Sequence, residues 1–290
     1  MKNRKVLLFA IPLIFLMACN GSETKKQSAD TKKDTVCKND DWKLAVQAWS
    51  FHKFSFCEAV DKAKKAGFKY MEAYPGQKVY KDKEQSSYFT MGEELKQFIK
   101  DTLSKAGIEL VAYGVVKCDS AYKWEQVFSF AKDMGIQTIT AEPKEEHMSK
   151  VEELTEKYGI SLAIHNHPTP SHYWHPDSVL EVCEGRNDLV GACADNGHWT
   201  RSGLDVQECM NKLSGRIISL HLKDMHEKGN LKAHTVPFGT GVNDVKSILS
   251  TLKEQNFKGV ITVEYEHNWE DNVEDIKQCK KYYQKSLSEL

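Results

Sequence analysis

Four short, apolar, β-prone runs in the second half of the chain each stop on a side chain able to hold a metal. They are residues 136–142 (IQTITAE), 189–195 (LVGACAD), 217–221 (IISLH) and 260–264 (VITVE). A fifth run, residues 162–167, ends in His-Asn-His. A charged group is costly inside a strand buried on both faces, so its recurrence at the last position points to strand tips opening on a shared site. A parallel α/β barrel gathers such tips at one mouth.

The rest of the chain fits that architecture. From Trp42 onward, apolar runs alternate with helical patterns, the signature of βα units and a parallel sheet. Strands are expected at 44–50, 70–74, 110–113, 138–142, 162–165, 190–195, 217–221 and 260–264. Helices are expected at 57–66, 94–106, 124–134, 146–158, 178–184, 205–213, 245–255 and 273–288. Gly67, Gly107, Gly135, Gly159 and Asn256 stand where those helices should end, as helix C-caps do. Eight units in ~250 residues are the size of a (β/α)8 TIM barrel. An open doubly wound sheet would bring a Gly-rich phosphate loop after its first strand, and Ser50-Phe51-His52-Lys53 is not one.

The beginning of the chain reads as an address. Lys2, Arg4 and Lys5 precede an apolar run, 6–16, too short to span a bilayer. Leu16-Met17-Ala18-Cys19 then matches the bacterial lipobox. Residues 1–19 are therefore expected to be a lipoprotein signal peptide with Cys19 lipidated, 20–41 a flexible polar tether, and 42–290 the barrel. That places the protein at a bacterial cell envelope, lipid-anchored to a membrane. A formal charge of −1 gives no reason to expect nucleic acid as a partner. The cysteines after Cys19 form no CxxC pair and define no disulfide; Cys193, inside an apolar strand, is expected to be a buried thiol.

Glu142, Asp195, His221 and Glu264 offer three hard carboxylates and one imidazole, a donor set suited to one divalent ion. Mn²⁺ or Mg²⁺ fits it best, and Co²⁺ or Zn²⁺ can be held. His165 and His167 flank the same mouth with Asn166 pointing the other way, as alternation along a strand requires. His198, three residues past Asp195, is placed to touch substrate or to support a ligand. Trp174, with Tyr173, His172 and His175, offers an aromatic wall for a sugar ring, and the long 226–243 segment a cover for the mouth.

Taken together, Ala194-Asp195-Asn196-Gly197-His198, Gly203-Leu204-Asp205, Gly215-Arg216-Ile217, His221-Leu222-Lys223-Asp224, Gly239-Thr240-Gly241 and Glu264 resemble the sugar phosphate isomerase/epimerase group with its xylose isomerase-like TIM barrel. The resemblance runs from about Trp42 to the C-terminus. It implies that Glu142, Asp195, His221 and Glu264 hold one metal ion, that Glu142 and Glu264 move a proton, and that His198 contacts substrate. Lys223 and Trp174 complete the expected substrate contacts. The Arg that ketose epimerases carry shortly after the metal-binding His has no counterpart in Met225-His226-Glu227-Lys228. His165-Asn166-His167 is more similar to envelope-associated members that act on 3-keto-glycosides as lyases or hydratases.

The shared chemistry of such enzymes is removal of a proton next to a carbonyl, with Glu142 or Glu264 as base and a His, such as His165 or His167, as proton donor. An exported, lipid-tethered protein meets free or glycosidic sugars rather than sugar phosphates. The expected activity is therefore β-elimination on a 3-keto-glycoside, with isomerisation or 3-epimerisation of a free ketose as the alternative. Two rivals come from other classes. One is a carbohydrate-binding lipoprotein without turnover. The other is a metal-dependent nuclease, which would want a basic face that this chain lacks.

Overall fold

The computed structural model describes residues 42–290, so the expected signal peptide, the lipidated Cys19 and the tether lie outside the described residues. Strands β1 (Lys43–Gln47), β2 (Tyr70–Ala73), β3 (Glu109–Val116), β4 (Thr138–Ala141), β5 (Ser161–His165), β6 (Val190–Asp195) and β7 (Ile217–Leu222) follow in order. A short hairpin, β8 (Asp224–Met225) with β9 (Thr235–Val236), precedes β10 (Val260–Val263). β1–β7 and β10 close into a ring in the order β1-β10-β7-β6-β5-β4-β3-β2. Every pairing in that ring is parallel. The expected (β/α)8 barrel is the observed fold.

The helices are α1 (Phe56–Lys65), α2 (Glu93–Ala106), α3 (Ala121–Met134), α4 (Met148–Tyr158), α5 (Pro176–Cys183), α6 (Asn196–Arg201), α7 (Val206–Lys212), α8 (Val245–Glu254) and α9 (Val273–Ser288). α1 shows why they form. Ser55 and Glu58 make a reciprocal capping box, and Phe56, Ala59, Val60 and Ala63 form one buried stripe at helical spacing. Gly107, Gly135 and Gly159 close α2, α3 and α4 in the left-handed conformation. Strands covered on both faces read as continuous apolar runs, so β4, β6 and β10 are buried along their whole length.

Two local departures from the expected elements shape the mouth. β1 stops at Gln47, and Ala48–Phe51 forms a 3₁₀ turn whose Trp49 amide donates to the Gln47 side chain. That turn leaves Trp49 40% exposed at the rim. α6 was not legible beforehand, because six residues with no apolar period give no helical signal. It is nucleated by Asp195, whose Oδ1 accepts the His198 amide at 2.8 Å as an N-cap.

Candidate functional site

His165, Asp195, His221 and Glu264, at the tips of β5, β6, β7 and β10, each offer one donor atom within 4.8 Å of the other three. His221 Nδ1 lies 3.0 Å from Glu264 Oε2 and 3.7 Å from Asp195 Oδ2, and His165 Nε2 lies 3.4 Å from Asp195 Oδ2. A second group, Glu142, His165 and His167, adjoins the first and shares His165 with it. Its His165 Nδ1 is 3.5 Å from Glu142 Oε1, and His167 is paired directly with the same carboxylate.

Neighbouring strands lock these tips in place. Asn166 accepts the Asp195 amide at 2.8 Å and donates to the Asp195 carbonyl at 2.9 Å. Asn196 does the same for Lys223, at 2.9 and 2.7 Å. A Cβ on Gly197 would stand 2.6 Å from Lys223 Cδ, so only glycine lets the lysine stem pass. Asp224 accepts the amides of Gly239 and Gly241 at 2.9 Å each, and of Asn243 at 3.0 Å. The D-N-G-H, H-L-K-D and G-T-G runs are thus one interlocked unit.

The electrostatics single out a cation site. Asp195 spends Oδ1 on the helix cap, while its Oδ2 and His221 Nδ1 are buried and make no hydrogen bond among the described residues. Such orphaned lone pairs, turned toward one another, fit a shared cation. Lys223, fully buried, brings Nζ to 2.9 Å from both Asp195 Oδ2 and Glu264 Oε2 and 3.2 Å from Glu266 Oε1. None of these contacts is directed well enough for a hydrogen bond, and Lys223 Nζ and Asp195 Oδ2 both stay without a partner, so the lysine offsets charge without satisfying that acceptor. In the connected network, Glu72, Glu142, Asp195, Glu264 and Glu266 face Lys117, Lys223 and Arg201, two charges short of balance when the histidines are neutral.

Protons or a divalent ion can make up that deficit. Burial works against a charge on His165, but bonds to Asp195 and Glu142 prevail and push its pKa up to about 9. His221 is raised well above its ordinary range: burial is outweighed by Cys193, Glu72 and Glu264. Burial raises Glu142, yet His165, His167 and Lys117 hold it well below the usual carboxylate range. Glu264 is likewise held low, against burial, by Lys223 and His221. His198 moves the other way, driven down by burial and by Lys223, His165 and Arg201 against the pull of Asp195.

Residues 60–283 match the family model described as xylose isomerase-like TIM barrel. The chain belongs to the xylose isomerase-like TIM barrel family. Inosose dehydratases of Mesomycoplasma hyopneumoniae and Clostridium perfringens are 25% identical to it over 138 residues and 29% over 140. Each match covers 42% of this chain and 45 or 46% of the relative, so the chain spans less than half the length of the curated relatives it matches. The crystal structure of an uncharacterised protein from Parabacteroides distasonis is 32% identical, with a TM-score of 0.70, covering 84% of this chain and 99% of that one.

Asp195, His221 and Glu264 converge as expected, but His165, not Glu142, is the fourth member of their group. Glu142 is drawn aside by Lys117 Nζ, 2.7 Å from its Oε2, and by His167. A cavity of ≈410 Å³ opens above the group, lined by His165, His167, His198, Glu264, Glu266 and Lys117 together with Trp49 and Tyr74. Trp174 is not among its lining residues: its ring packs on His175, 5.3 Å away, and the aromatic wall is supplied by Trp49 and Tyr74 instead. Lys223 lies beneath the cavity rather than on it, because its ammonium is held among carboxylates. Segment 226–243 lines none of the cavity either; Asp224 and Arg201 tie it down beside the mouth.

One residue was missed. Glu72, in β2, is fully buried in the barrel interior and accepts from Thr140 Oγ1 at 2.7 Å, Thr262 Oγ1 at 2.8 Å and His221 Nε2 at 3.0 Å. It fixes the His221 proton on Nε2 and leaves Nδ1 free to face Asp195 and Glu264. Its signal was present in the sequence: a lone carboxylate inside the apolar strand Tyr70–Ala73. A larger groove, ≈790 Å³ and lined by Tyr80, Tyr88 and Phe98 among others, holds neither of the His- and carboxylate-rich groups. Size alone would therefore have misplaced the site. Cys193 is a fully buried free thiol, as expected.

Proposed function

We propose that the chain is a divalent-metal-dependent lyase that removes the proton next to the carbonyl of a non-phosphorylated keto-sugar and expels the group β to it, with a 3-keto-glycoside as the substrate class. The observation carrying this reading is the convergence of His165, Asp195, His221 and Glu264 under a cavity that also exposes His167 and His198. The relatives named inosose dehydratases support it, since dehydration is also an elimination.

Held by His165, Asp195, His221 and Glu264, a divalent ion would polarise the carbonyl oxygen as a Lewis acid. Two imidazoles and two carboxylates suit Mn²⁺, our preference, and equally admit Co²⁺ or Zn²⁺, with Mg²⁺ less favoured by the nitrogen donors. Glu142, ionised and outside the four-atom group, takes the α-proton. The C–H electron pair forms the enolate and then the new double bond as the β C–O bond breaks. His167, paired with Glu142 and half-buried at the mouth, gives its proton to the leaving oxygen.

A second reading, 3-epimerisation or isomerisation, is favoured by one observation. β4, which precedes Glu142, and β10, which precedes Glu264, are four places apart in the eight-membered ring, so the two carboxylates flank the mouth from opposite sides. The test is incubation of the purified protein with Mn²⁺ and 3-keto-glucosides of a chromogenic phenol, in D₂O. Chelator-sensitive phenol release that is lost in Glu142→Gln supports the lyase. No release above that variant removes it, and deuterium entry without release points to the epimerase. Sugar binding without either reaction is the outcome for a non-catalytic binder. The lipid anchor on Cys19 belongs to the same proposal, holding the enzyme at the bacterial envelope; labelled palmitate should enter the wild type and not Cys19→Ala.

A further inference from the structure

Arginine N–H groups donate hydrogen bonds and never accept them. Arg201 Nη1 lies 3.0 Å from His198 Nδ1. Nδ1 is therefore the acceptor of that bond, and the ring proton sits on Nε2. The guanidinium has little freedom to turn away. Its Nε donates to the Ala233 carbonyl at 2.9 Å, its Nη2 to Glu266 Oε2 at 2.6 Å, and its side chain is only 11% exposed. Three segments thus hold it: α6, the stretch before β9, and the stretch after β10. On the other side of the ring, His198 Nε2 is 3.6 Å from Asp195 Oδ2, too far for a hydrogen bond, and the residue lines the cavity. The Nε2–H is left for whatever occupies the mouth.

We propose that Arg201 is a positioning residue that locks His198 as the Nε2–H tautomer, so that His198 meets the substrate as a fixed hydrogen-bond donor to an oxygen at the reacting centre and not as the proton carrier. This rests on the reading that the cavity is the substrate site. A donor aimed in advance at an oxygen that gains charge is worth more than one that must reorient. It also divides labour at the mouth: His167 moves the proton, and His198 holds the oxygen.

The test begins without substrate. Long-range ¹H–¹⁵N spectra of histidine-labelled, chelator-treated full-length protein, with His198 assigned by its loss in His198→Gln, should show Nδ1 unprotonated and Nε2 protonated near neutral pH. In Arg201→Gln the two nitrogens should move toward a mixture of tautomers. Arg201→Lys, which keeps one donor, should stay nearer the wild type. A protonated Nδ1 in the wild type, or an Arg201→Gln spectrum identical to it, overturns the proposal. In the keto-glucoside assay, Arg201→Gln should lower kcat by about 10–100-fold with KM within about threefold, and His198→Gln should outperform His198→Ala. The expected spectra with no turnover in any form would count against the lyase reading and leave the tautomer lock supported. Equal activity of His198→Gln and His198→Ala would overturn the donor role.

Discussion

Replacing Glu72 with Gln tests whether the barrel interior sets metal affinity from behind the ligands. The carboxylate accepts three hydrogen bonds, from Thr140, Thr262 and His221. Glutamine has the same shape but a single acceptor oxygen. Turned with that oxygen toward Thr262 and His221, the amide still accepts from both, and its N–H meets the Thr140 hydroxyl, which rotates to accept. His221 keeps its Nε2 proton but exchanges a charged acceptor for a neutral one, so its Nδ1, facing Asp195 and Glu264 at 3.7 and 3.0 Å, becomes a weaker ligand. Loss of such a supporting partner typically costs 10–100-fold in metal affinity, about 1.4–2.8 kcal/mol. Calorimetric titration of the chelator-treated protein with Mn²⁺ and with Zn²⁺ reads this directly. Thr140→Val is the control: it removes one bond to Glu72 without touching His221, and should change affinity less than about threefold. If Glu72→Gln binds both ions within about threefold of the wild type, the Glu72 charge does not support His221 as a ligand and the reasoning fails.

Other expectations follow from the same geometry. His165 has a raised folded-state pKa, so the stabilisation from its charged form is complete below the unfolded value near 6.5 and is lost as pH rises through about 9. The metal-free protein should therefore melt progressively lower across that window, while the rise in Tm on adding a divalent ion grows, as differential scanning fluorimetry with and without chelator would show. Gly197→Ala forces a methyl against Lys223 Cδ and Cβ, at 2.6 and 2.8 Å, and should cost about 1–3 kcal/mol in urea unfolding; an unchanged midpoint would contradict the interlock. Asp224→Asn must turn its NH2 toward either the Asn243 amide or the Gly239 and Gly241 amides, all of which donate to the carboxylate. It should lose roughly 1–3 kcal/mol and raise hydrogen exchange in 226–243 specifically. Trp49→Ala should raise KM several-fold for glycosides while leaving Mn²⁺ affinity in place, because the ring lines the cavity but lies outside the ligand group.

The strands and most helices were legible because they obey two simple periods, and the mouth was legible because charge at a strand tip has few structural excuses. The limits are equally physical. Asp195 caps α6 with Oδ1 and turns Oδ2 toward His221, two uses that one strand-tip position does not announce and that a carboxylate can combine because it has two oxygens. Glu142 was assigned to the ligand group from its strand-end position and from the resemblance, and neither fixes where a flexible side chain turns. Lys117 and His167 decide that: His167 was expected at the mouth, but no sequence pattern announces its pairing, or that of Lys117, with Glu142. Trp174 was chosen for its aromatic neighbours in sequence, yet the cavity takes Trp49, turned outward by a 3₁₀ turn that shortens β1.

Lys223 shows the same limit from the other direction. A lysine two residues past an expected ligand invites a substrate-binding role, and only burial shows that its charge is used up internally, among Asp195, Glu264 and Glu266. That placement explains why Gly197 is glycine and why Asn196 grips the lysine backbone from the neighbouring strand. It also predicts an asymmetry. Lys223→Met keeps the stem but removes the ammonium, leaving the buried carboxylates of Asp195 and Glu264 short of a cation, while Glu266 keeps Arg201. Metal-free protein should then lose about 3 kcal/mol, the usual result of breaking a buried ion pair from one side. A divalent ion should recover part of that loss, since it supplies the missing positive charge nearby. Chemical denaturation of the variant with and without Mn²⁺ distinguishes this from a simple packing defect: equal losses in both conditions would mean that the lysine and the metal group are not electrostatically coupled.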